Sequence, residues 1–161
     1  MKKLAMLLAM ALVLSGCGTR ETFETVADEM VQSVMAQPGE IWVSLPEDSA
    51  MPAMESENGS VYICKDYEVA MQTLESGDLN ATVQLVSGFD RDRVTLLKTR
   101  QDELDRYDFV WTCAGENLQL GRAAILDDGN YHYVISATID AALMEEYQEI
   151  WNGIFDSFTL S

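Results

Sequence analysis

Histidine and positive charge are what this chain has least of. A single imidazole, His132, serves 161 residues. That leaves no second histidine for a metal site and at most one histidine base for a nucleophile, and no Gly-x-Ser-x-Gly elbow accompanies it. His132 alternates with the tyrosines on either side of it, so a solvated or edge position is expected. Ten Lys and Arg stand against 27 Asp and Glu, a formal net charge of −17. This balance argues against nucleic acid as a partner, because phosphate binding needs a basic stripe that releases counterions. An anionic lipid surface would repel such a domain, whereas cationic ligands would be drawn to it. Glycine-rich phosphate loops, internal repeats and heptads are missing.

Long apolar runs are equally scarce. The longest, Leu4 to Leu14, follows Lys2 and Lys3 and reads as the apolar core of a secretory signal. As a helix it would cover roughly 17 Å, against about 30 Å of bilayer hydrocarbon, so it cannot span. It ends in Leu14-Ser15-Gly16-Cys17, which resembles the lipobox of bacterial lipoproteins. The resemblance implies removal of residues 1–16 as a signal peptide, a diacylglyceryl group on the sulfur of Cys17, and a short spacer over residues 17–20. A single α+β domain is then expected over 21–161, anchored by lipid on the extracytoplasmic side of the cell membrane. One acyl chain holds only marginally, and two or three make the attachment durable. Cleavage would leave 145 residues with a net charge of −19 (8 Lys and Arg against 27 Asp and Glu), a length that fits one core.

If Cys17 is lipidated, Cys64 and Cys113 remain as an even pair in an exported protein, and a disulfide between them is expected. Closing a loop of about fifty residues would contribute roughly 4 kcal/mol on chain-entropy grounds. The competing reading is two small buried hydrophobes. Neither cysteine has the Cys-x-x-Cys spacing of a redox or zinc site.

Phe23, Val26, Met30 and Val34 recur at helical spacing up to Pro38-Gly39, which predicts an N-terminal helix ending near Gln37. Ile41 to Leu45 predicts a short strand. Pro46 to Ser60, with two prolines and Asn58-Gly59, is the longest predicted loop and a candidate contact surface through Met51 and Met54. Val61 to Cys64 and Tyr67 to Leu74 predict a hairpin. Asp78 is a good N-cap and Gly88 a good C-cap for a short middle helix. Val94 to Gln101, Tyr107 to Ala114, Leu118 to Leu126 and Tyr131 to Ile139 then predict a meander. Alternation places Phe109, Trp111 and Cys113 on one side of their strand, and Tyr131, Tyr133, Ile135, Ala137 and Ile139 on one side of theirs. After Asp140, residues Leu143, Tyr147, Ile150, Trp151, Ile154 and Phe155 form the apolar stripe of a long C-terminal helix ending near Ser157-Phe158.

The expected fold is therefore α+β: an antiparallel sheet of about five to seven strands, packed by an N-terminal helix, a short middle helix and a long C-terminal helix. This element order, with the stretch from Tyr131 to Phe158, resembles the PsbP-like α/β/α sandwich, which also occurs in small bacterial lipoproteins. The resemblance implies helices on both sheet faces and mostly binding or assembly roles, and it transfers no functional residue. A cystatin-like curved sheet on a helix is the rival.

Carboxylates are abundant, but Asp90 with Asp92, and Asp102 with Glu103 and Asp105, fall in predicted turns and strand ends. Asp127, Asp128 and Asn130 lack the spacing of a calcium loop, and turn chemistry accounts for them. No catalytic residue, cofactor or metal ligand is assigned from the sequence. Three roles stay open: a lipid-anchored binding module for a small ligand or an envelope protein, a hydrolase using carboxylates with no sequence signature, and a structural envelope component. The first is the expectation.

Overall fold

Period-two alternation in Tyr131–Asp140 gives one strand with a continuous apolar face, Tyr131, Tyr133, Ile135, Ala137 and Ile139, and the domain is assembled around it. The computed structural model describes residues 36–49 and 51–161. The helix expected from Phe23, and everything before it including Cys17, lies outside those residues. In chain order the elements are β1 (Ile41–Trp42), β2 (Met54–Ser56), β3 (Gly59–Ile63), β4 (Tyr67–Glu75), α1 (Leu79–Ser87), β5 (Leu96–Gln101), β6 (Leu104–Cys113), β7 (Gln119–Asp127), β8 (Tyr131–Asp140), α2 (Met144–Ser157) and β9 (Thr159–Leu160). Short 3-10 turns occupy Glu47–Ser49, Arg91–Arg93 and Ala141–Leu143.

Seven strands form one antiparallel sheet in the order β2-β3-β4-β8-β7-β6-β5, while β1 and β9 pair as a separate ribbon. The register stacks apolar residues in rows. On one face Val69 lies opposite Ala137 and Met71 opposite Ile135, and Ala124 and Leu126 lie opposite Ile135 and Tyr133. Helix α2 covers this face with Tyr147, Trp151, Ile154 and Phe155. Fully burying each such side chain contributes about 1.5–3 kcal/mol. The opposite face carries Phe109, Trp111, Ala123, Ile125 and Val134 beneath Val83 of α1. Helices on both faces give the three-layer arrangement expected from the sequence and exclude the cystatin-like alternative.

Cap chemistry sets the helix ends. The Asp78 carboxylate accepts from Asn80 N at 3.0 Å, and Gly88, at φ 76°, donates its N–H to Gln84 O. Helix α2 has no basic residue in its last turn, and the sheet supplies the charge instead. Arg106 of β6 donates to Phe155 O at 3.1 Å, to both Asp108 oxygens at 2.7 and 3.0 Å, and to Gln101 Oε1 at 2.6 Å. A guanidinium there complements the negative end of the helix dipole.

Two expectations are corrected. The predicted loop from Pro46 to Ser60 is instead a 3-10 turn followed by an edge strand, β2, and the turn into β3. Met54-Glu55-Ser56 has no β-branched or aromatic residue to announce a strand and is exposed throughout; it pairs because β3 presents an open edge. The second correction is the disulfide, since Cys64 and Cys113 are both free. Cys64 follows β3 and Cys113 ends β6, with β4, β8 and β7 between those strands. Four interstrand spacings amount to roughly 19 Å, far beyond the ~7 Å that a disulfide can bridge between α-carbons. The thiols also pack on opposite faces, Cys64 among the residues under α2 and Cys113 against those under α1.

Candidate binding cleft

Beside the edge hairpin, the chain leaves a concavity of about 850 Å³ between residues 38–41, the β2–β3 turn and the end of β4. Both walls are held by the backbone. Thr73 N donates to Asn58 O at 2.8 Å, which ties the hairpin turn to β4, and Ser56 Oγ donates to Gly59 O at 3.1 Å across the turn. On the other side Gly39 N donates to the Tyr133 hydroxyl at 2.9 Å, that hydroxyl donates to Asp128 Oδ2 at 2.8 Å, and Ser161 N donates to Glu40 O at 3.1 Å. Burial raises the pKa of Tyr133, and the Asp128 carboxylate adds to this against the opposing donation from Gly39.

Carboxylates and aromatic rings line the cleft. Glu40, Glu55, Glu57 and Glu75 contribute to its walls together with Tyr62, Tyr131 and Met71, and among the described residues no lysine or arginine lines it. Among the described residues none of the four glutamates takes part in an ion pair. The sequence reading did not find this set, because Glu40, the 55/57 pair and Glu75 are brought together only by the β3–β4 hairpin and the β1–β9 ribbon. A strand at 54–56 was the missing signal.

The other candidates are accounted for by structure. Asp102 and Glu103 form the β5–β6 turn, Asp105 pairs with Lys98 at 2.7 Å, and Asp90 accepts from Gln84 Nε2 at 3.1 Å. Asp127 Oδ1 accepts from Gly129 N at 2.8 Å, and Asp128 Oδ1 from the N–H groups of Asn130 and Tyr131 at 2.7 Å each. Burial alone would raise the Asp128 pKa, but those two N–H groups and the Tyr133 hydroxyl outweigh it and hold it below the usual value. Among the described residues, no three His, Cys, Asp or Glu side chains converge as a metal set.

His132 is 1% exposed, which corrects the expected solvated or edge position. Alternation opposite the tyrosines puts it beside Val134 on the face that α1 covers. Its Nδ1 lies 2.8 Å from Thr82 Oγ1, and its Nε2 lies 3.5 Å from Ser76 Oγ and 3.6 Å from Asp127 Oδ2. Carboxylate and serine approach the same nitrogen, whereas a Ser-His-Asp relay needs them on different nitrogens. The ring joins α1 to the sheet.

No protein-family model and no curated protein matches the sequence. Solved structures do. LpqN of Mycobacterium tuberculosis, described as involved in cell envelope biogenesis, is similar at 13% identity over 78% of this chain and 86% of its own, with a TM-score of 0.50. The solution structure of cyanobacterial PsbP from Synechocystis sp. PCC 6803 is similar at 13% identity over 78% and 84%, with a TM-score of 0.48. A Bacteroides thetaiotaomicron protein is similar at 11% identity and a TM-score of 0.48, and this chain spans about half of it (48%). The likeness to LpqN is one of fold alone. Among the described residues no helix is long and apolar enough to cross a membrane.

Proposed function

We propose that this chain is an extracytoplasmic binding module, tethered to the membrane by lipid on Cys17, with the cleft beside the β2–β3 hairpin as its receiving surface. The cleft carries the reading: its volume, about 850 Å³, falls in the roughly 300–1,000 Å³ range of small-molecule sites, and backbone hydrogen bonds preform both walls. Its polar side chains are carboxylates, tyrosines, amides and the hydroxyls of Ser56, Ser60 and Thr73, a set suited to binding and orienting a ligand, and among the described lining residues no histidine stands beside those serines as a base. The tether rests on Leu14-Ser15-Gly16-Cys17.

Expression of the full chain in a bacterial host with a labelled fatty acid tests the tether, and Cys17→Ser is expected to abolish both labelling and membrane retention. Retention of label and membrane association by that variant would overturn it. The full chain is expected to show no turnover of glycoside, ester, peptide or phosphate substrates. Reproducible turnover that disappears with a single cleft substitution, such as Glu75→Gln, would replace the binding module with a hydrolase.

A further inference from the structure

The charge on the cleft is one-sided and spread out. Glu40 stands on the segment before β1, Glu55 and Glu57 on the hairpin, and Glu75 at the end of β4. Uncompensated carboxylates around one concavity focus a negative potential into it and draw in cations. A lone metal ion is a poor complement, because it needs several oxygens converging within about 2.0–2.6 Å, and the described acidic side chains nowhere gather in threes. The apolar part of the lining is Ile41, Met71 and the rings of Tyr62 and Tyr131, all on the sheet face that α2 covers. Separated negative charges with apolar and aromatic surface beside them complement a molecule that carries several ammonium groups on aliphatic stems. Each ammonium meets a carboxylate or a ring face, and the methylenes lie along the apolar floor.

We infer that the cleft binds a linear aliphatic polyamine. The inference rests on the cleft being the receiving surface proposed above. Titration of the full chain in mild detergent with spermidine tests it. Saturable one-to-one binding is expected, weakening as salt is raised. Glu55→Gln and Glu75→Gln should each weaken it about ten-fold, and Tyr62→Leu should weaken it as well. Glu145→Gln and Glu149→Gln, on exposed positions of α2, should leave it unchanged, and unfolding midpoints of all five variants should confirm that each is folded. Absent binding, or binding equally affected by the α2 variants, overturns the polyamine assignment. If spermidine fails while a trilysine peptide or calcium saturates a site that Glu55→Gln and Glu75→Gln remove, the assignment falls and the cleft remains the receiving surface. If none of the three binds, both fall.

Discussion

Trp111 of β6 and Gly121 of β7 are register partners, and the indole fills the space that a side chain at position 121 would occupy. Any Cβ there overlaps the ring, so Gly121→Ala must push Trp111 out of the face under α1. Overpacking of this kind costs about 1–3 kcal/mol. Urea unfolding followed by tryptophan fluorescence should show that loss, and Gly121→Ala combined with Trp111→Val should recover part of it. A double substitution no more stable than the single one would mean that the ring is not the obstacle.

Arg106 joins β6 to the end of α2 through Asp108, Gln101 and Phe155 O. Its side chain is only 12% exposed, so removing it takes the donor from the part-buried Asp108 carboxylate and from the helix carbonyl Phe155 O. Arg106→Ala should cost about 3 kcal/mol. Arg106→Lys should recover less than half, because one ammonium cannot span three acceptors that a planar fork reaches together. By the same urea measurement Lys98→Ala, which removes an exposed pair at an equal 2.7 Å, should have little effect.

The Asp128 carboxylate, whose pKa is lowered in the folded state, favours folding above the ordinary carboxylate pKa of about 3.9. That contribution disappears as pH falls through the lower, folded-state value. Asp128→Ala should therefore be less stable than the parent by about 1 kcal/mol at pH 7, with the two converging in acid. Denaturation midpoints at pH 7 and at about pH 2.5 give the comparison, and a constant gap at both would contradict the linkage.

Asp102 and Glu103 both have positive φ, 49° and 71°, the signature of a type I′ hairpin turn filled by residues that dislike it. Replacing them with Asn-Gly should raise stability by about 1 kcal/mol or more. A thermal scan would register this as a higher midpoint, and an unchanged or lower midpoint would count against a strained turn.

Strand alternation and cap residues made most of the frame readable before any coordinates. Tyr131 to Ile139 announced β8, and Asp78 with Gly88 bounded α1, because those signals are local. What stayed hidden depends on order across the sheet. Cys64 and Cys113 satisfy the arithmetic of a disulfide, yet nothing local reveals that β8 enters between β4 and β7 and separates them. His132 was misplaced for a related reason. Its alternation is local and legible, but that α1 lies over the face opposite the tyrosines is not. The cleft was hidden twice over, since β2 lacks strand-forming residues and Glu40 arrives only through the pairing of Ile41 with Leu160.

The central place of β8 also governs when this protein can come into being. The units β2–β4 and β5–β7 make their own hairpins as they emerge, but no strand pairing joins them until residues 131–140 lie between them. Pairings between residues as far apart as Tyr67 and Ile139 require late, long-range loop closure and slow the search. A chain that folds from its N-terminus onward would thus stay pliable until residues 131–140 arrive to join the two units. Before that moment the inner edges of β4 and β7 stand open to any passing strand, so a chain cut short before residue 131 would carry two unpaired edges and a complete one would carry neither.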